Sequence, residues 1–128
     1  GSAEEYYKKG VLNSITLWIP TWTVPIDDYL AAADLQWDDN ATLDEKMEQI
    51  HLQKYYALFL TDYQQWFEYR RTGHPVLPKG SGLKNDGVMP ARMTYPVYVQ
   101  STNPTNYKIA IANQGPDLIT TQVWWQKP

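Results

Sequence analysis

Five aspartates crowd one short stretch of the chain: Asp27 and Asp28, Asp34, then Asp38 and Asp39. Two carboxyl groups held about 5 Å or about 6.5–9.5 Å apart across a glycosidic bond supply the acid and the nucleophile or base of sugar hydrolysis. Neighbours in sequence do not thereby converge on one bond, and helix starts and turns account for all five. No enzyme is expected from them. His51 and His74 stand alone, without a second ligand at metal-binding spacing, so neither metal ligation nor base catalysis is expected. Asn85-Asp86-Gly87 offers oxygens but not the regular spacing of a calcium loop, and a turn is the default. The chain has no nucleophile elbow, no phosphate-binding glycine loop and no His-Glu-x-x-His string. With no Cys, it has no thiolate nucleophile, disulfide or iron–sulfur cluster. Neither cofactor nor metal is called for.

The aromatic residues suggest binding instead. Six Trp and ten Tyr accompany two Phe. An indole or phenol face stacks on the C–H face of a pyranose while nearby amides and carboxylates hydrogen-bond its hydroxyls. Trp22, between Pro20 and Pro25, and Trp37, beside Asp38, Asp39 and Asn40, fit that description best. Trp22, Trp37, Asp38 and Asn40 are the candidate ligand contacts. The plainer alternative for each Trp is core packing or contact with further scaffold. Trp18, Trp66, Trp124 and Trp125 read as core or interface. Arg70 and Arg71 invite an anion-binding role, but at a helix end they more simply complement the dipole and fasten the next loop. Arg92 has the same character, an anchor for an extended segment.

These residues sit on a chain of 128 residues, enough for one ordinary domain. A formal charge of −3 argues against nucleic-acid binding, which normally needs a basic face. Apolar residues make up 43% of the chain, yet no run approaches the roughly 20 needed to span a bilayer as a helix.

Periodicity predicts a mainly α chain. Tyr7, Val11, Ile15 and Trp18 share one face of an opening helix from Ala3, stopped by Pro20. Pro25 starts a short helix towards Leu35. Thr42 and Glu45 have capping-box spacing at the head of one long helix reaching Arg71. Gly73 is suited to the left-handed position after it, and Pro75 prevents continuation. Leu52, Tyr55, Tyr56, Phe59, Leu60, Tyr63, Trp66 and Phe67 make a stripe along that helix, with Met47, Leu58 and Tyr69 as a second apolar ridge. So broad an apolar coat calls for neighbours on more than one side. Residues 3–72 thus form a helical part. Residues 73–128 form a loop-rich part, with an extended stretch near Pro96 and a short helix near 104–113.

The string Trp66-Phe67-Glu68-Tyr69-Arg70-Arg71-Thr72-Gly73-His74-Pro75 resembles a segment of the SusD/RagB family of outer-membrane nutrient-binding lipoproteins. Met89-Pro90-Ala91-Arg92-Met93-Thr94-Tyr95-Pro96 follows in the same order, as do Asn103, Asn106, Tyr107 and Trp124-Trp125. Arg70, Arg71, Thr72, Gly73, Pro75, Pro90, Arg92, Tyr95 and Pro96 carry the likeness, and their expected role is structural. The resemblance implies the C-terminal part of a SusD-like helical scaffold, a single segment over 1–128 that is not an autonomous domain. It further implies non-catalytic capture of an oligosaccharide or other nutrient at the cell surface. The expected partners are the upstream part of the same protein and a SusC-like TonB-dependent transporter. The signal peptide and lipidated Cys of whole family members are absent from this chain. An alternative is a structural or protein-interaction module without glycan contact.

Overall fold

The computed structural model describes residues 1–33, 35–83 and 87–126; Asp34, Asn85 and Asp86, named above, lie outside them. Six α-helices make up the framework: α1 (Ala3–Trp18), α2 (Ile26–Ala32), α3 (Leu43–Ala57), α4 (Gln64–Thr72), α5 (Val99–Thr102) and α6 (Pro104–Gln114). A 3-10 turn, Trp124–Gln126, follows. Every regular element among the described residues is helical, as the periodicity predicts. The chain divides into two compact units, Gly1–Leu77 and Pro78–Pro128.

In the first unit, local signals set the helix starts. Ser2 caps α1, accepting from the Glu5 N–H while the Glu5 carboxylate accepts from Ser2 N–H. Thr42 and Glu45 form the same reciprocal box at α3. Each box satisfies two of the donors that a helix start leaves free. α1 packs on both α2 and α3. Its face buries Tyr7 and Val11 against Leu30 of α2, and Ile15, Ile26, Tyr29, Leu35 and Trp37 surround them. Leu30 is 1% exposed, a burial that contributes about 1.5–3 kcal/mol. The Tyr7 hydroxyl donates to the Leu35 carbonyl at 3.0 Å, so the one polar atom of this ring is satisfied. Burial, and then the nearby Tyr29, raise its pKa above the ordinary phenol value.

The long helix expected over 42–71 is two helices. α3 ends at Ala57 and α4 begins at Gln64, with Leu60 at φ 61° and Asp62 at φ 44° between them. The periodic pattern runs through the break because it reports which side chains are apolar, not where the backbone turns. Side-chain bonds to the last turn of α3 mark the interruption. The Trp18 indole N–H donates to the Ala57 carbonyl at 3.1 Å, and the Gln65 amide donates to the Lys54 carbonyl at 2.8 Å. The Ala57 carbonyl is thereby satisfied from outside the helix, and the Lys54 carbonyl accepts from Gln65 besides the Leu58 N–H.

In the second unit α5 packs against α6. Residues 92–95 lack regular structure, and Pro96 opens a turn whose carbonyl accepts from Val99 N–H. Pro104 occupies the first turn of α6, where a missing N–H costs no helical bond.

Candidate functional site

The four candidate ligand contacts lie in the first unit. Trp22 is half-buried, its indole N–H donating to the Val24 carbonyl at 2.9 Å and its ring edge-on to Tyr29. Trp37 is also half-buried, tilted against Tyr7 with centroids 5.3 Å apart. Its N–H donates to Asp39 Oδ1 at 2.8 Å, and the Lys46 ammonium stands 5.8 Å from its ring. Asp38 accepts from the Asn40 N–H at 2.8 Å, closing the turn before α3. Trp37, Asp38 and Asn40 are thus neighbours, whereas Trp22 belongs to the link between α1 and α2. Trp37 also borders an apolar groove of about 510 Å³ between α1 and α3, lined by Tyr6, Gly10, Ile50 and Ala57 among others. No atom lies within 4 Å of where a Gly10 Cβ would sit, so this face of α1 is open.

The Arg70–Pro75 string forms a braced corner. Gly73 adopts φ 78°, which an L side chain resists, and its N–H donates to the Tyr69 carbonyl. The Thr72 hydroxyl donates to the Glu68 carbonyl and accepts from the His74 N–H. Arg70 lies over the Trp66 ring, 4.2 Å from its centroid. Arg71 and Lys54 both grip Glu68 Oε2, at 2.7 and 2.9 Å. Arg71, and then Lys54, hold the Glu68 carboxyl down at about 2. Glu48 reaches across from α3: its Oε1 accepts from Val76 N–H at 2.7 Å and its Oε2 lies 2.7 Å from His74 Nδ1. The His51 and His74 rings stack, and Pro75 is fully buried. Nothing in the sequence spacing singles out Glu48, 26 residues before His74.

The second string converges on Asp117. Arg92 Nη2 donates to Asp117 Oδ1 at 3.2 Å, and Tyr95 N–H donates to the same oxygen at 3.1 Å. The Tyr107 hydroxyl donates to Oδ2 at 3.2 Å. Desolvation, and then this bond to Asp117, raise the Tyr107 pKa. Arg92 Nε donates to the Met93 carbonyl and Nη1 to Gln114 Oε1, and its guanidinium lies over the Tyr95 ring. Pro90 is half-buried, and Pro96 is exposed at the turn into α5. Asp117 was not visible as a partner from the sequence, because an acid between Pro116 and Leu118 reads as a turn residue.

Among the described residues no three His, Asp or Glu side chains gather where a metal ion could be held. No helix among them is long and apolar enough to cross a membrane. Trp124 is 81% exposed, outside any core the described residues form. It borders a hollow of about 420 Å³ with Trp125, Arg92, Asn113, Gln114, Gln122 and Val123.

A family model described as "Starch-binding associating with outer membrane", of the SusD-like type, matches residues 1–96. The chain is similar to a SusD homolog from Bacteroides uniformis ATCC 8492, with 30% identity and a TM-score of 0.78. That match covers 100% of this chain and 32% of the homolog. A chitin-binding protein is 32% identical at a TM-score of 0.75, over 100% of this chain and 29% of its own. A chitin-binding SusD homolog from Flavobacterium johnsoniae, 23% identical with a TM-score of 0.78 over 99% of this chain and 32% of its own, shares the fold. The chain therefore spans about a third of the length of the solved structures it matches. None of the curated proteins compared matches it. Since three quarters of the sequence fits the family model, and the full chain aligns with a 30%-identical SusD homolog, the chain belongs to the SusD-like family.

Proposed function

We propose that this chain is scaffold in a non-catalytic nutrient-binding protein of the outer membrane, one that captures an oligosaccharide for import through a SusC-like TonB-dependent transporter. Within the whole protein, capture rests on aromatic stacking and many modest hydrogen bonds, with no covalent step. The observation that carries the scaffold role is where the motif residues spend their polar groups. Glu48, Thr72 and Glu68 brace one corner, and Asp117, Arg92 and Tyr107 another, through bonds made within the chain. Oligosaccharide as cargo is supported by the family's starch-binding description and by a chitin-binding relative at 32% identity.

The segment is not autonomous in this reading. Leu17, Leu43 and Phe59 of the first unit are exposed, and they match the need for further scaffold over these faces. The upstream part of the same protein is the proposed cover. A lipid anchor belongs to that upstream part and holds the protein at the cell surface.

A second reading, a structural or protein-interaction module without glycan contact, is favoured by one observation. The indole N–H groups of Trp22 and Trp37 are both satisfied inside the chain. Calorimetric titration of the intact protein with maltoheptaose and with chitohexaose tests the capture reading, with chromatography of the sugar before and after incubation. Saturable binding with the sugar recovered intact is expected. Cleavage of either sugar, or the absence of binding to both, would overturn it.

A further inference from the structure

The 3-10 turn Trp124–Gln126 carries two indoles set 89° apart in plane, with centroids 5.4 Å apart. Both are open, Trp124 at 81% and Trp125 at 47%. The hollow they border also has Asn113 and Gln114 from the C-terminal end of α6, with Gln122 and Arg92. We propose that this hollow is a subsite for a pyranose unit of a neutral oligosaccharide. The proposal rests on the capture reading and places a sugar contact in this segment.

The chemistry of the lining argues for a sugar over an apolar partner. Each carboxamide offers two N–H donors and an oxygen with two lone pairs, which suits hydroxyls that both donate and accept. Three carboxamides beside two indoles supply such polar groups around a flat apolar face. A covering helix of further scaffold would instead leave those amides to be satisfied by its own polar groups. Among the described residues no carboxylate lines the hollow, and the one cation, Arg92, is already engaged by Asp117, Gln114 and the Met93 carbonyl. That leaves little to recognise a charged cargo.

Gln114 is also held in place. Its Oε1 accepts from Arg92 Nη1 and its Nε2 donates to the Tyr95 hydroxyl, both at 3.3 Å, leaving one N–H and one lone pair for ligand. Pre-set groups of this kind lose less entropy on binding. The volume of about 420 Å³ falls within the roughly 300–1,000 Å³ of small-ligand sites.

The test uses the intact protein, with maltoheptaose and chitohexaose as probes in calorimetric titrations. Trp124→Ala is expected to weaken binding of the bound sugar about tenfold, and Trp124→Phe by about threefold or less. Gln122→Ala, at an exposed side chain, is expected to weaken it about threefold and serves if Trp124→Ala fails to fold. Wild-type binding with undiminished affinity in both Trp124→Ala and Gln122→Ala would overturn the subsite and leave the capture reading standing. If the wild type binds neither sugar, the capture reading falls and takes the subsite with it.

Discussion

Arg92 and Asp117 meet at 3.2 Å with both side chains 8% exposed. The pair ties the Pro90–Pro96 string to the segment that follows α6. Asp117 also receives Tyr95 N–H and the Tyr107 hydroxyl, so three groups depend on this one carboxylate.

Removing that carboxylate leaves a buried guanidinium short of its counter-charge. Asp117→Ala is expected to destabilise the second unit by about 3–5 kcal/mol, the range seen when one partner of a buried pair is lost. Asp117→Asn should cost less, because the amide oxygen still accepts. Urea titration of the intact protein, followed by hydrogen exchange at residues 92–117, measures it. Equal stability of Asp117→Ala and wild type would refute the bracing role.

The broken helix gives a prediction whose sign decides. Leu60 holds φ 61° and is exposed, so a Gly there relieves left-handed strain of about 1–2 kcal/mol at little loss of packing. Leu60→Gly is expected to be neutral or stabilising by up to about 1 kcal/mol. In a continuous helix the same change would cost about 1 kcal/mol. A clear loss of stability in thermal unfolding would therefore restore the single helix.

Gly73 presents the opposite case. At φ 78° an added Cβ meets no atom within 4 Å, so the penalty of Gly73→Ala is conformational rather than steric crowding. A loss of about 1 kcal/mol is expected in chemical denaturation. An unchanged midpoint would mean the corner is not held in this conformation.

Glu68 sets a pH dependence. Its folded pKa, about 2, lies below the ordinary 4.5 because Arg71 and Lys54 stabilise the carboxylate. A depressed acid contributes stability that is present above the unfolded value and is lost as pH falls towards the folded one. The loss should fall between about pH 4.5 and 2. Arg71 and Lys54 are well exposed, so solvent screening keeps the effect on the order of 1 kcal/mol. Glu68→Gln should flatten stability against pH across that window, and an unaltered profile would contradict the pairing.

The exposed apolar faces predict poor solitary behaviour. Expressed alone, the 128-residue chain is expected to self-associate at micromolar concentration and to bind a hydrophobic dye. Sedimentation and dye fluorescence measure both. A monomer with a sharp thermal transition unchanged by dilution would show that the segment is autonomous after all.

Sequence determined what local chemistry can settle. Thr42 with Glu45 announces a helix start because a cap and its partner lie three residues apart. Gly73 and Pro104 declare their backbone roles through their own steric limits. The family likeness was legible in the Arg70–Pro75 and Pro90–Pro96 strings. The partners of those strings come from long-range packing, because Glu48 lies 26 residues before His74 and Asp117 lies 25 after Arg92. The tertiary structure also divided α3 from α4, where Trp18, 39 residues away, bonds the Ala57 carbonyl. The candidate hollow is the same case: residue type marks Trp124 as able to stack, but its exposure follows from how the chain around it folds. Periodicity and capping act over a turn or two of helix, whereas contact and exposure depend on segments that only folding brings together.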